Sequence, residues 1–153
     1  SSAASDVYKR QVHYQFVSPA EFDHMVKSGQ MLETAVVHGR NQYGTPREPV
    51  MQALDEGKFP LLEIDLEGAR QVKERMPEAR FIFLAPPSWD ELVRRLVGRG
   101  TESEEEQARR LETAKVELAA EEEFDHTVVN HDVRTAAQEL VTLMGLSVDN
   151  PEN

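Results

Sequence analysis

The sequence contains no cysteine, which excludes disulfide bonds and thiolate metal sites. It has no run of eighteen apolar residues and hence no candidate membrane span, and no apolar stretch typical of a secretory signal follows its N-terminus. Positive charge is scarce: 17 Lys and Arg residues stand against 28 Asp and Glu residues, giving a formal net charge of -11. Such an acidic chain disfavours nucleic acid and anionic membranes as partners. We expect a cytoplasmic protein.

Several catalytic motifs are also missing. The five histidines show no H-E-x-x-H spacing, and the sequence has no G-x-S-x-G motif. We therefore predict neither a hydrolase site nor a metal site. The sequence also has no G-x-x-x-x-G-K-[ST], the glycine-rich loop whose backbone N–H groups cradle nucleotide phosphates.

What is present from Val12 onward is a regular alternation of short apolar strands and helices. We predict strands at 12–17, 31–37, 59–65, 80–84 and 127–130, with 59–65 and 80–84 buried. Residues 38–45 read as a loop that contains Gly and Asn. Helices are predicted over 49–57 and 68–76, after the capping boxes at Ser18, Ser88 and Ser103, and from Asp132 to Met144. This alternation predicts an α/β fold with a parallel sheet covered by helices.

Both ends of the chain differ from this pattern. Residues 1–11 show no periodicity, and we expect them to be a linker, a tag or a sequencing-derived sequence, with a native disordered tail as the alternative. Residues 147–153 are polar and contain proline, so we expect a disordered tail.

Arginine is concentrated in one segment, at positions 94, 95, 99, 109 and 110. Arg95 and Arg99 are four residues apart and would share a helix face, and Arg99 lies between two glycines where one predicted helix gives way to the next. Arginine binds phosphate well because its planar guanidinium donates paired hydrogen bonds and keeps its charge. The alternative is a solvated helix with salt bridges to Glu102, Glu104 and Glu105.

Two further groups could contact a ligand. Glu63 and Asp65 end a predicted strand on one side of it, where parallel sheets bind ligands, and could contact a base or hydrated Mg²⁺. Simple termination of the strand is the alternative. The loop from Gly39 to Thr45 offers Tyr43 among hydrogen-bonding residues, but on this loop alone the default interpretation is a turn with a surface tyrosine.

A series of short strings then resembles the guanylate kinase family. In the family's order and with near-family spacing, the sequence shows His13–Ser18, Leu32–Glu33, Tyr43–Pro46, Glu63–Ala69, Phe83–Ser88, Arg95–Thr101 and Val128–Asn130. Each string is weak alone, but the series is specific and covers most of the chain after Gln11.

The resemblance implies transfer of the γ-phosphoryl of ATP to GMP, with Mg²⁺ as cofactor and with GMP and ATP as the small-molecule substrates. GMP would be bound by Tyr14, Glu33, Tyr43, Gly44, Thr45, Glu63 and Asp65. Glu33 would accept hydrogen bonds from guanine N1–H and the exocyclic amine, Thr45 would donate to O6, and the two tyrosines would donate to the GMP phosphate. Arg95, Arg99 and Arg110 would be the catalytic arginines of a lid, and Arg95, Arg99 and Asn130 would contact ATP.

The resemblance also implies a P-loop NTPase-like parallel sheet flanked by helices, with a small GMP-binding subdomain and a helical lid. The guanylate kinase-like domain would cover 12–146, with a GMP-binding region at 12–48, core at 49–88, the lid and adjoining helices at 89–122, and core at 123–146.

Three features depart from the family. The first strand with its G-x-x-x-x-G-K-[ST] loop is missing, as is the arginine pair that normally follows it. The loop before Tyr43 is one residue longer than usual, with Gln42 where the family often has Tyr. We therefore expect a sequence truncated at its N-terminus, with marginal stability or a rearranged sheet, because the missing strand is central.

Two alternative functions remain. One is a non-catalytic guanylate-kinase-like binding module, although such modules have lost catalytic residues and the lid arginines are kept here. The other is a nucleoside-monophosphate kinase that acts on a different base. Glu33 together with Thr45 favours guanine over adenine or a pyrimidine.

We expect no phosphorylation of GMP at an enzymatic rate by these 153 residues, because nothing in them supplies the glycine-rich loop for the ATP phosphates. A coupled ADP-release assay with ATP, Mg²⁺ and GMP measures this. Addition of a family-type N-terminal segment should restore turnover. Robust GDP formation by the unextended chain would contradict the prediction.

Overall fold

The computed structural model describes residues 15–37, 39, 41–98 and 103–145. The chain divides into two units, residues 1–52 and residues 53–153. The division falls within helix α2 (Arg47–Asp55). The predictions for Tyr14 and Arg99 and for the two chain ends lie outside the described residues.

The first unit begins with helix α1 (Pro19–Lys27), which starts where the capping box predicts. The Ser18 hydroxyl accepts a hydrogen bond from the backbone N–H of Glu21 at 3.1 Å, and Pro19 occupies the first turn, where its missing N–H costs nothing. Phe22 is the buried residue of this helix. Gly29 follows with a φ of 73°, a left-handed conformation that suits glycine and ends the helix.

An antiparallel hairpin follows, formed by strands β1 (Met31–Val37) and β2 (Asn41–Pro46). The prediction for β1 is confirmed residue for residue. The loop predicted for 38–45 is wrong from Asn41 onward, because hydrogen bonding to β1 draws these residues into a strand despite the turn preference of Asn and Gly. Gly39, with a φ of 69°, lies between the two strands.

The second unit contains a parallel pair of strands, β3 (Ile82–Ala85) and β4 (His126–Val129). Two helices, α4 (Trp89–Val97) and α5 (Glu104–Ala119), lie between these strands in sequence and contact each other. Parallel neighbours require a crossover of this kind. The α/β class with a parallel sheet and flanking helices is therefore confirmed, and Val128 of β4 is fully buried.

Capping residues define the other helices of this unit. The hydroxyls of Ser88 and Ser103 accept hydrogen bonds from Glu91 and Glu106, which confirms both predicted helix starts. Helix α6 (Val133–Leu143) is capped by Asp132, as predicted. The cap lowers the pKa of Asp132, chiefly because the backbone N–H of Thr135 stabilises the ionised carboxylate.

The strand predicted over 59–65 is wrong, because no described segment pairs with these residues. Of the strand predicted over 12–17, residues 15–17 form no strand, and residues 12–14 lie outside the described residues. The predicted burial of 59–65 and 80–84 is also wrong in part, because Phe59, Leu61 and Leu84 are more than half exposed. A strand needs a hydrogen-bonded neighbour as well as apolar residues.

Among the described helices, none combines the length and apolarity required to cross a bilayer.

An ion pair joins helix α3 (Leu66–Arg75) to the turn that precedes β4. The Arg70 guanidinium donates two hydrogen bonds to the Glu123 carboxylate, at 3.0 and 2.8 Å, and Lys73 donates to the Glu123 carbonyl oxygen at 3.1 Å. The hydrogen bond from Arg70 holds the pKa of Glu123 below its ordinary value of 4.5. We call this set of contacts the Glu123 clasp.

Because the pKa of Glu123 is lower in the folded chain, the clasp contributes stability above pH 4.5, and this contribution is lost as the pH falls through the folded value. Glu123→Gln should lower the thermal midpoint by about 1–3 °C at pH 7, as expected for an exposed pair. The difference from wild type should disappear in acid. Glu122→Gln, on the same turn, is the control, and an equal pH-dependent effect of this control would contradict the assignment.

Candidate functional site

Four of the residues predicted to bind GMP lie on the β1–β2 hairpin of the first unit. Glu33 pairs with Thr45 and Ala35 pairs with Tyr43, so Glu33, Thr45 and Tyr43 are directed to one face of the hairpin. Gly44 lies between Tyr43 and Thr45. The structure therefore brings these predicted residues together.

Glu33 is a buried carboxylate with only 8% of its surface exposed. The Thr45 hydroxyl donates a hydrogen bond to Glu33 Oε1 at 2.7 Å. Burial of a charged or polar group without a partner is costly, so this contact satisfies part of the carboxylate's hydrogen-bonding requirement. The Glu33 carboxylate is thus a hydrogen-bond acceptor on one face of the hairpin, and the Thr45 hydroxyl hydrogen holds it in place.

Tyr43 is 45% exposed. Gly44 permits a close approach of the two strands: a β-carbon there would come within 3.1 Å of the Glu33 carbonyl oxygen and of Met31 Sδ. Sequence reasoning did not identify Met31 as part of this arrangement. The only signal was two adjacent apolar residues, Met31 and Leu32, at the start of a strand.

In the second unit, Glu63 and Asp65 are exposed residues of one extended segment. Asp65 also has a structural role, because its Oδ1 accepts a hydrogen bond from the Gly68 N–H at 2.8 Å and caps α3. Its carboxylate thus stands at the positive end of a helix. Asn130 follows β4, is half-buried, and donates its backbone N–H to the Ala85 carbonyl at 2.8 Å.

The two described arginines of the predicted lid lie on two helices, Arg95 on α4 and Arg110 on α5. Both arginines are exposed, and 49% of the Arg95 side chain is accessible. Arg95 Nε lies 3.4 Å from Glu91 Oε1, and Arg94 lies 3.6 Å from the same carboxylate. The sequence reasoning offered Glu102, Glu104 and Glu105 as partners and overlooked Glu91, although an i, i+4 spacing is a recognisable signal.

Removal of the Thr45 hydroxyl should destabilise the chain, because Thr45→Val keeps the side-chain shape but leaves the buried Glu33 carboxylate without this donor. We expect a loss of about 1–3 kcal/mol in the free energy of unfolding, measured by urea titration. Thr45→Ser keeps the hydroxyl and is the matched control. Equal stability of the valine and serine variants would show that the hydrogen bond contributes nothing.

The chain is similar to known guanylate kinases in sequence. The family model described as guanylate kinase matches residues 6–146. A guanylate kinase of Leifsonia xyli is 65% identical over 133 residues, which cover 87% of this chain and 52% of that protein. One from Streptomyces coelicolor is 61% identical over 132 residues, 86% of this chain and 66% of that protein.

Solved structures give the same result. The crystal structure of guanylate kinase from Anaplasma phagocytophilum aligns with a TM-score of 0.66 at 34% identity, over 86% of this chain and 63% of that one. The chain spans about half to two thirds of the length of these relatives. The family model covers well over half of the 153 residues. The chain therefore belongs to the guanylate kinase family.

Proposed function

We propose that the chain carries guanine-binding and phosphate-binding parts of a guanylate kinase, an enzyme in which a phosphate oxygen of GMP attacks the γ-phosphorus of ATP, the bond to the bridging oxygen breaks, and GDP and ADP leave. Turnover also requires the glycine-rich loop that these 153 residues do not supply. The buried Glu33 carboxylate beside Thr45 is the observation that carries the proposal. Membership of the family supports the reaction type. A cytoplasmic role in purine nucleotide metabolism goes with this assignment.

Selection of guanine follows from the chemistry of Glu33. Guanine presents two donors on one edge, N1–H and the exocyclic amine, and an ionised carboxylate is an acceptor for both. Adenine presents neither donor at those positions. Bound adenine would therefore bring no donor to the buried carboxylate and would exclude water from it, and sites of this kind strongly reject analogues that lack the required donor.

Thr45 would change its hydrogen-bond partner when GMP binds. Its hydroxyl has one hydrogen, which it donates to Glu33 at 2.7 Å in the absence of ligand. Guanine brings new donors to Glu33, and this frees the Thr45 hydrogen for guanine O6. Tyr43, exposed on the same face, and Tyr14 would donate their hydroxyl hydrogens to the GMP phosphate.

The arginines would serve the transferred phosphoryl group. Arg95, Arg99 and Arg110 are proposed to clamp the phosphates and stabilise the charge that spreads over the phosphoryl oxygens during transfer. The contact from Arg95 to Glu91 is long, at 3.4 Å, and exposed, so it costs little to exchange for a phosphate. In this view Glu91 holds Arg95 near its working position before ATP arrives.

The remaining predicted residues are proposed to contact ATP and its magnesium ion. No described group of three or more acidic or histidine side chains could hold a metal ion. Magnesium, however, is commonly bound through one or two carboxylates together with substrate phosphates and water, and it would neutralise phosphate charge here. Asp65 and Glu63 are proposed to supply such carboxylates and to assist in holding GMP. Asn130 is proposed to contact the adenine of ATP.

Calorimetric titration of GMP and AMP tests the guanine site directly. We expect GMP to bind more tightly than AMP, and Glu33→Gln to weaken GMP binding at least about tenfold, because a charged acceptor is replaced by an amide that also presents donors. The affinity for AMP should change little. Glu48→Gln removes an exposed carboxylate from the same unit and is the control. Equal affinities of the wild-type chain for GMP and AMP, or none for either, would refute the proposed site.

A further inference from the structure

The pairing of β1 with β2 shifts by one residue next to Glu33. Met31 pairs with Pro46, but the next pair along the ladder is Glu33 with Thr45. Two steps along β1 therefore match one step along β2, and Leu32 is the extra residue. This is a β-bulge, a feature that bends a strand and redirects side chains, often beside functional sites.

The shift decides which residue faces Glu33. If the pairing of Met31 with Pro46 continued without the bulge, Glu33 would lie opposite Gly44, and Thr45 would lie opposite Leu32. Gly44 has no side chain that could contact a carboxylate. With the bulge, Glu33 lies opposite Thr45, and the hydrogen bond of 2.7 Å forms between directly opposed residues. The bulge thus creates the acceptor and donor pair of the proposed guanine site.

The surroundings of the bulge show what holds it. Leu32 is fully buried, and Met31 is 5% exposed. A β-carbon placed on Gly44 would lie 3.1 Å from Met31 Sδ and 3.2 Å from Met31 Cε. The Met31 thioether therefore occupies the space beside Gly44 that a side chain would otherwise fill. Methionine suits such irregular spaces because it is unbranched and adaptable.

We propose that Met31 is a positioning residue for guanine recognition: its thioether, packed against Gly44, fixes the bulge that turns the Glu33 carboxylate toward Thr45. Met31 does not touch the nucleotide in this scheme and acts through Glu33. The inference rests on the proposed function, because the experiment detects the position of Glu33 through the affinity for GMP. The bulge and the Met31–Gly44 packing are independent of that function.

The experiment measures GMP affinity of the full chain by calorimetry for Met31→Ala and Met31→Leu. We expect Met31→Ala to weaken GMP binding about tenfold, because the bulge loses its packing. Met31→Leu keeps most of the volume and should stay within about threefold of wild type. Met76→Ala is the matched control, since Met76 is a similarly buried methionine (7% exposed) of the second unit and should change GMP affinity by less than about threefold.

The same substitution in a chain that already carries Glu33→Gln separates a positioning role from a general loss of structure. In the Glu33→Gln background, Met31→Ala should weaken GMP binding by less than about twofold, since the residue through which it acts is already changed. Gly44→Ala should also weaken GMP binding. In the double variant with Met31→Ala, the fold-loss of GMP affinity should be smaller than the product of the two single losses, because the smaller residue 31 makes room for the new methyl group.

The outcomes distinguish the two proposals. If the wild-type chain binds GMP no better than AMP, the proposed function fails. If the wild type prefers GMP but Met31→Ala leaves GMP affinity unchanged, the positioning role is refuted. An equal loss in Met76→Ala, or an undiminished loss in the Glu33→Gln background, refutes it as well, because the effect would then be one of stability alone.

Discussion

The buried Glu33 carboxylate, with its hydrogen bond from Thr45, is the constraint that the hairpin of the first unit has to accommodate. A buried carboxylate needs donors, and the hairpin has to supply one from a residue directly across the ladder. In the proposed positioning scheme, the bulge at Leu32, the missing side chain at Gly44 and the packing of Met31 all serve this one contact. In the proposed guanine site, the same contact would orient the carboxylate for a ligand that brings better donors than a hydroxyl.

Local signals made the helices predictable. Ser18, Ser88 and Ser103 each cap a helix at the expected residue, since a hydroxyl that accepts from an N–H three residues ahead is encoded within one turn of sequence. Strands depend on partners far along the chain. Residues 41–46 became a strand because β1 pairs with them, and residues 59–65 did not because no described segment does. Periodicity cannot report the presence of a partner.

The candidate site divides in the same way. Resemblance to a family led to Glu33, Tyr43, Gly44 and Thr45, and the hairpin brings these residues together. Neither the composition nor the resemblance pointed to the bulge, because a one-residue change of register leaves no mark in a single sequence. Met31 was overlooked for this reason. The role of Asp65 as the cap of α3 was likewise hidden, since the predicted helix began two residues too late.

The residues proposed to select the base and those proposed to handle the phosphoryl group fall in different units of the chain. Glu33 and Thr45 belong to the first unit, whereas Arg95, Arg110, Asp65 and Asn130 belong to the second. Under the proposed function, guanine selection would use an acceptor fixed by the hairpin. Phosphoryl transfer would use cations such as Arg95, whose exposed contact with Glu91 could be exchanged for phosphate. Because the two requirements rest on separate contacts, base specificity can persist in a chain whose phosphoryl transfer is impaired.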